Sequence, residues 1–265
     1  MDALIVHVDG IGFWAPGIGD WPALVRALEN GAPVAIDATA KPSPNALPPA
    51  ERRRAPEPVL IASEAAGQAC AMAKCDPATL ASIFTSTHGD LAITDAMCAT
   101  LAADPRELSP TRFHNSVHNA PAGYWTVAAH CHKPATAISA AHGSFAAGLV
   151  EAAVEVHAEG QPVLLAAYDI AARGPLAEVA PSGVPFAAAF VLSPARSAAS
   201  VATLSIYPLQ GTAAVNALPD ALAALATNPT AVQALPLLLA LAARKQAKVM
   251  LRSGANTALA IEVAP

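Results

Sequence analysis

The sequence is poor in charged side chains. Asp, Glu, Lys and Arg make up only 13% of its 265 residues, whereas hydrophobic residues make up 54%. So few charges cannot cover a fully solvated surface, and the composition therefore favours a large buried contact with a partner. A net charge of −5 with little clustering of Lys and Arg excludes a nucleic-acid-binding protein. The one basic run, residues 51–54, lies in a proline-rich stretch and is interpreted as a solvated loop.

Long apolar runs are also lacking. No stretch approaches the ~18 consecutive apolar residues that cross a bilayer, and the first residues, MDALIVHVDG, lack the positive flank of a signal peptide. We therefore expect a cytoplasmic protein without a membrane span. The cysteines show no C-x-x-C spacing, and in a reducing compartment they are predicted to be small core residues rather than catalytic thiols: Cys70, Cys75, Cys98 and Cys131.

Short apolar strands alternate with helical segments along the chain. The predicted strands are DALIVHV near the start, residues 80–85, the first part of a strand–helix unit at 135–153, QPVLLAAYD, VPFAAAFVL and SVATLSIY, and KVMLRSGANTALAIEV predicts a hairpin. The predicted helices cover residues 18–30, 61–74, 94–102, 216–227 and 230–243. This alternation indicates one α/β layered domain over residues 1–265, with a mostly parallel sheet and helices on both faces. Residues 40–58 are predicted to form a proline-rich loop, and residues 212–265 a short helical and hairpin part.

Two local patterns resemble part of a metal site or of a cofactor-binding loop, but each lacks a residue that the complete motif requires. His114 and His118 stand one helical turn apart, as zinc ligands do, but Asn115 occupies the place of the glutamate in H-E-x-x-H. Histidines that bond to backbone carbonyls explain the pair more simply, so no metal is expected. Gly10-x-Gly12 lacks the third glycine of a dinucleotide-binding loop, and no cofactor is expected.

Ser144 is a candidate nucleophile because His142 precedes it closely. The hydrolase elbow G-x-S-x-G would need glycines at positions 142 and 146, where His142 and Ala146 stand. An independent acyl thioesterase or esterase that uses Ser144 with His142 or His118 is therefore kept as the alternative function. The other interpretation is that Ser144 caps or packs the first helical turn.

Residues 135–153, ATAISAAHGSFAAGLVEAA, read as a strand that turns sharply into a helix at His142. A group at a helix N-terminus lies in a partial positive charge, worth ~0.3–1 kcal/mol for an anion, and a thiol there has a lowered pKa. The segment from Ile138 to Ser144 resembles the strand–Cys–helix elbow of the β-ketoacyl synthases of the thiolase superfamily, with His142 in the place of the cysteine.

Three further phrases carry the same resemblance. FTSTHGD (84–90), SPTRFHNSVHNAPAGYWT (109–126) and GIGFWAPGIGDW (10–21) are similar to the ketosynthase-like proteins of aryl polyene and related type II polyketide clusters. The resemblance covers residues 1 to about 207 and implies a thiolase-like layered αβα fold, shortened relative to a ketosynthase. In ketosynthases, a second half supplies two histidines that favour decarboxylation of the malonyl thioester, whereas this chain has no histidine after residue 207.

The resemblance implies that the chain does not condense acyl groups alone, because imidazole cannot hold an acyl chain as a stable thioester. It implies a chain length factor, an inactive subunit that pairs with an active ketosynthase and shapes the acyl tunnel, with acyl carrier protein as a further partner. An acidic carrier could dock on the basic run at 51–54. His142 either fills the vacated pocket or assists malonyl decarboxylation.

The resemblance assigns no catalytic residue to this chain, but it places a set of residues at the partner interface and the acyl tunnel. This candidate set is Phe113, His114, Asn115, His118, Asn119, Tyr124, Trp125, His142 and Phe145. Large aromatic side chains there would block added methylenes, since overpacking costs ~1–3 kcal/mol. Tyr124 and Trp125 could instead be plain core residues.

Overall fold

A computed structural model describes residues 3–213 and 218–265 of the chain. Within them, eight strands form one sheet in the order β3-β2-β4-β5-β1-β6-β8-β7. The strands are β1 (Leu4–Trp14), β2 (Ala81–Thr85), β3 (Ala135–Ile138), β4 (Val163–Asp169), β5 (Phe186–Ser193), β6 (Ala202–Gln210), β7 (Ala247–Arg252) and β8 (Thr257–Ala264). The predicted hairpin is confirmed, because β7 pairs antiparallel with β8 across residues 253–256.

The polarity of the sheet differs from the prediction. The mixed sheet is confirmed, but only the pairs β2–β3 and β2–β4 are parallel. The other five neighbouring pairs among the described residues are antiparallel, so the expectation of a mostly parallel sheet is wrong. The physical reason is that β4 returns to β5 through residues 170–185, which hold one short helical turn rather than a crossover helix of the kind that parallel neighbours need.

Nine α-helices lie in the described ranges. They are α1 (Trp21–Asn30), α2 (Pro49–Arg54), α3 (Glu57–Ala73), α4 (Leu91–Ala103), α5 (Pro110–Asn115), α6 (Ala120–Ala128), α7 (Ser144–Glu159), α8 (Leu176–Val179) and α9 (Pro229–Ala243). Helices α3 and α6 pack on one face of the sheet, and α1, α7 and α9 contribute to the core on the other face. The layered α/β architecture is therefore confirmed.

Close packing of α3 on β1 depends on two glycines. A Cβ atom at Gly10 would lie 2.1 Å from the carbonyl oxygen of Ala69, and one at Gly12 would lie 1.8 Å from that of Ala65. Both distances are far below van der Waals contact. The glycines of β1 and the alanines of α3 thus let the helix axis approach the strand more closely than larger side chains would allow.

The proline-rich stretch predicted as a loop at 40–58 is partly helical. Helix α2 occupies Pro49–Arg54, and α3 begins at Glu57, four residues before the predicted start. The reason is that Pro49 and Pro58 stand in the first turns of these helices, where a missing N–H costs nothing. The predicted helix at 216–227 falls partly on residues 214–217, which lie outside the described residues, and residues 220–227 form a 3₁₀ helix.

No described helix combines the length and apolarity that a transmembrane segment requires.

Candidate functional site

The elbow predicted at His142 is present. Strand β3 ends at Ile138, and α7 begins at Ser144 with Gly143 as its N-cap, so the helix starts two residues after His142 rather than at it. Ala141 has a φ of +47°, in the left-handed region where a non-glycine residue costs about 1–3 kcal/mol. The turn aims His142 outward, and its side chain is exposed.

The hydroxyl of Ser144 holds the elbow together. Its Oγ donates to the carbonyl oxygen of Ala141 at 2.7 Å and accepts the backbone N–H of Ala140 at 2.9 Å. The residue is only 2% exposed. Both hydrogen bonds go to backbone groups of the turn before the helix, so Ser144 packs the first helical turn against the elbow and does not cap the helix.

Neither histidine proposed as a base for Ser144 bonds to it. His118 Nε2 lies 3.3 Å from the carbonyl oxygen of Ser86, and the backbone carbonyl of His118 accepts the Tyr168 hydroxyl at 3.4 Å. The Ser144 hydroxyl is already committed to the elbow backbone. The geometry therefore lacks the nucleophile–base contact that a serine hydrolase needs.

A buried carboxylate fixes the loop in front of the elbow. Asp169, at the end of β4, is 0% exposed and accepts hydrogen bonds from the Ser86 hydroxyl (2.7 Å), the Thr230 hydroxyl (2.6 Å) and the backbone N–H groups of Thr87 and His88 (3.1 Å each). These are charge-assisted bonds, which are stronger than neutral ones. The loop in turn meets the elbow, because the Ser139 hydroxyl donates to the Thr87 carbonyl at 3.1 Å.

A cavity of about 890 Å³ opens beside the elbow. His142 lines it together with residues from 172–183, from α9 and from β7. Most of the lining side chains are small or apolar. The lining also includes the amide of Gln233 and the guanidinium of Arg252. The exposed imidazole of His142 therefore borders an accessible space and does not fill a sealed core.

A second, apolar groove of about 580 Å³ lies along α5 and α6. It is lined by four residues of the candidate set, His114, Asn115, Asn119 and Tyr124. The Tyr124 hydroxyl donates to Asn115 Oδ1 at 3.2 Å, which fixes the ring at the groove wall. The structure thus brings this part of the candidate set together on one surface.

Large apolar side chains are exposed on α5, on α6 and in the turn that joins them. Val127 is 74% exposed, Phe113 61% and Val117 51%. Val117 and Val127 line the groove and were missed in the sequence, although Ala120, Tyr124 and Val127 follow the spacing of one helix face. Exposed apolar surfaces of this kind are typical of interaction sites.

The remaining members of the candidate set lie elsewhere. Trp125 is 0% exposed and packs in the core between α3 and the sheet, 6.5 Å from Phe84 between ring centroids. Phe145 is 1% exposed and packs on the opposite face of the sheet. The expectation that these two residues contact a partner directly is therefore wrong, because both are core residues. For Trp125, a core role was the alternative expectation. The reason is helix phase, since Trp125 follows Tyr124 by 100° around α6.

The cysteines differ in environment. Cys70 and Cys131 are buried, as predicted, but Cys98 is exposed and Cys75 is half-buried, so the expectation of four core cysteines is wrong. In the residues that the structure describes, no three His, Cys, Asp or Glu side chains are grouped so that they could hold a metal ion.

Comparison with known proteins identifies the family. The model of the β-ketoacyl synthase N-terminal domain matches residues 27–256. No curated protein matches the sequence.

Several solved structures share the fold. A chain of the complex of the ketosynthase ApeO with its chain length factor ApeC from Xenorhabdus doucetiae is 24% identical with a TM-score of 0.73, and the match covers 97% of this chain and 98% of that one. A chain of AntDE:AntF, a type II polyketide acyl carrier protein in complex with its ketosynthase bound to the hexaketide, is 14% identical with a TM-score of 0.74, covering 100% and 99%. A bacillaene synthase ketosynthase from Bacillus amyloliquefaciens is 11% identical with a TM-score of 0.71, covering 99% and 76%.

At these identities, the structural matches establish a common ketosynthase-like fold. The family model extends over well more than half of the chain. This protein belongs to the family defined by the β-ketoacyl synthase N-terminal domain.

Proposed function

We propose that this chain is a non-catalytic ketosynthase-like subunit, a chain length factor, which pairs with an active β-ketoacyl synthase and shapes the acyl tunnel in polyene, polyketide or fatty-acid-like biosynthesis. The observation that carries the proposal is the elbow. In the proposed alignment with a condensing enzyme, the exposed imidazole of His142 takes the place of the thiol, and the neighbouring Ser144 hydroxyl is committed to the backbone. Acyl transfer through a thioester needs a nucleophile that this elbow does not offer.

The surface of α5 and α6 supports a heterodimer. Val127, Phe113 and Val117 expose apolar area around the groove. Strand β3 lies beside this surface at the edge of the sheet, and within the described residues it pairs with β2 alone. An unpaired edge strand is a template for pairing with a strand of another chain, so β3 and α6 together favour a partner that completes the sheet.

The groove supports the role in setting product length. Its apolar wall suits an acyl chain, and the ring of Tyr124, fixed by its bond to Asn115, narrows it. In this proposal, Phe113, His114, Asn119 and Tyr124 meet the partner or the acyl chain. Trp125 and Phe145 support them from the core on either face of the sheet.

The carrier protein is the second proposed partner. Helix α2 carries Arg52, Arg53 and Arg54, and its Glu51 lines the groove. Arg53 and Arg54 are exposed, and Arg54 forms an ion pair with Glu51 at 2.5 Å. A basic helix beside an apolar groove suits an acidic carrier that delivers an acyl chain, and we place the complex in the cytoplasm with residues 1–265 acting as one domain.

Reconstitution tests the proposal. The chain is purified alone and together with a ketosynthase encoded beside it, and both samples receive acyl and malonyl carriers. We expect the chain alone to form no elongated product and to gain no acyl mass, while the pair elutes as one species and elongates. The His142→Ala pair is expected to keep its activity. Elongation or acylation by the isolated chain would overturn the proposal, as would failure of the two chains to associate.

A further inference from the structure

The end of helix α3 brings two cysteines together. Lys74 adopts a left-handed conformation with a φ of +54°, its backbone N–H donates to the Ala71 carbonyl at 3.2 Å, and the N–H of Cys75 donates to the Cys70 carbonyl at 3.2 Å. These are the two hydrogen bonds of a Schellman motif, which folds the residue after the left-handed position back against the last helical turn. The backbone therefore sets Cys75 beside Cys70.

The two thiols have unequal access to solvent. Cys70 is 3% exposed, whereas Cys75 is half-buried, and its Sγ lies 3.7 Å from the Cys70 carbonyl oxygen. Both residues line a surface cleft of about 450 Å³ between α3, the indole of Trp125 and residues 45–46. A small reagent can thus reach the half-buried Cys75 from this cleft, whereas Cys70 is almost closed to solvent.

The pKa values of the two thiols also differ, and they favour Cys75 as the reactive one, as its greater exposure does. A hydrogen bond from the Cys70 thiol lowers the pKa of Cys75 below its ordinary value, against burial and the nearby carboxylates of Asp76 and Asp9, which raise it. That hydrogen bond, together with burial, raises the pKa of Cys70. The thiolate is the reactive form of cysteine, so Cys75 is the sulfur suited to attack.

We propose that Cys70 and Cys75 form a dithiol that a hydroperoxide oxidises to a disulfide. The Cys75 thiolate attacks the terminal peroxide oxygen, the O–O bond breaks, and the other oxygen leaves as hydroxide from hydrogen peroxide or as alkoxide from an organic hydroperoxide, so Cys75 becomes a sulfenic acid. The sulfur of Cys70 then attacks that of Cys75, the S–O bond breaks, and the departing hydroxide takes the Cys70 proton as water. Two thiols are oxidised and one peroxide is reduced, and a thiol reductant restores both thiols by disulfide exchange, in which it becomes oxidised itself.

The other cysteines provide the comparison. Cys98 is exposed on α4, and Cys131 is buried with its thiol donating to the Leu80 carbonyl at 3.2 Å. Oxidation of an exposed thiol without a resolving cysteine stops at sulfenic acid or proceeds to sulfinic acid. The proposal therefore predicts a disulfide at the end of α3 and none that includes Cys98.

Peptide mapping tests this directly, because trypsin cleaves after Lys74, between the two cysteines. The purified full chain is treated with stoichiometric hydrogen peroxide, blocked with N-ethylmaleimide and digested without reductant. Peptide 55–74 contains Cys70 as its one cysteine, and peptide 75–106 contains Cys75 and Cys98. We expect the two peptides to appear as one linked species that dithiothreitol separates.

Matched variants assign the link. The linked species is expected to persist in Cys98→Ser and to disappear in Cys75→Ser, a nearly isosteric substitution at a half-buried position. A linked species that survives in Cys75→Ser, or a wild-type chain in which peroxide produces only sulfenic or sulfinic acid on separate peptides, would overturn the proposal. In the wild-type chain, fragmentation of the linked species should place N-ethylmaleimide on Cys98 and leave Cys75 in the link, so the assignment stands even if a substitution impairs folding.

Discussion

Replacing Val127 with aspartate should break the proposed heterodimer without disturbing the fold. Burying a valine side chain is worth about 1.5–3 kcal/mol, and Val127 exposes 74% of its surface, so roughly 1–2 kcal/mol remains to be gained in an interface. Aspartate forfeits that gain and adds the cost of desolvating a carboxylate. Since each 1.4 kcal/mol changes an equilibrium constant tenfold, the Kd for the ketosynthase should rise by at least about tenfold.

The matched control is Val179→Asp. Val179 is 78% exposed but lies on α8, away from the groove of α5 and α6. Titration calorimetry with the ketosynthase measures both affinities, and circular dichroism checks that the unfolding midpoint of each variant matches that of the unmodified chain. Equal affinities for Val127→Asp and Val179→Asp would refute the assignment of this surface to the partner.

Three further predictions concern the groove and the fold. Tyr124→Ala should widen the groove and lengthen the main product of the reconstituted pair, measured by mass spectrometry, whereas Tyr124→Phe should not; an unchanged product in Tyr124→Ala contradicts the tunnel role. Gly12→Ala should lower the free energy of unfolding by more than about 3 kcal/mol, because its Cβ would lie 1.8 Å from the Ala65 oxygen. Gly67→Ala, with open space around it, should be neutral or stabilising in the same urea titration, and equal effects would refute the packing argument. Asp169→Asn should lower the free energy of unfolding by at least about 2 kcal/mol, because the new amide N–H₂ group would face the hydroxyl donors of Ser86 and Thr230. An unchanged free energy of unfolding in a denaturant titration would contradict the role of this hydrogen-bond network.

Local sequence patterns predicted some elements correctly, although they failed in the proline-rich stretch 40–58, where α2 and the start of α3 form. The strand and helix on either side of His142 follow from an apolar run, a sharp turn and a helical period, and the hairpin at the end of the chain follows from a turn between two apolar runs. Sheet polarity could not be obtained in this way. Strands β4 and β5 are buried along their whole length, as in parallel sheets, yet they pair antiparallel. A continuous apolar run reports burial on two faces and carries no information about strand direction.

In the candidate site, too, the sequence identifies residues of interest but does not say which of them are exposed. The resemblance pointed to a segment before the elbow, and within it the large aromatic Trp125 was included in the candidate set whereas Val127 was not. The orientation of α6 reverses the choice, because the helix buries Trp125 against α3 and the sheet and leaves Val127 in the groove. The phase of a short helix is decided by the surface on which it packs, and that surface comes from distant parts of the chain. The packing of α6 on α3 therefore determines which of its faces is exposed, and the sequence of α6 alone does not supply that packing.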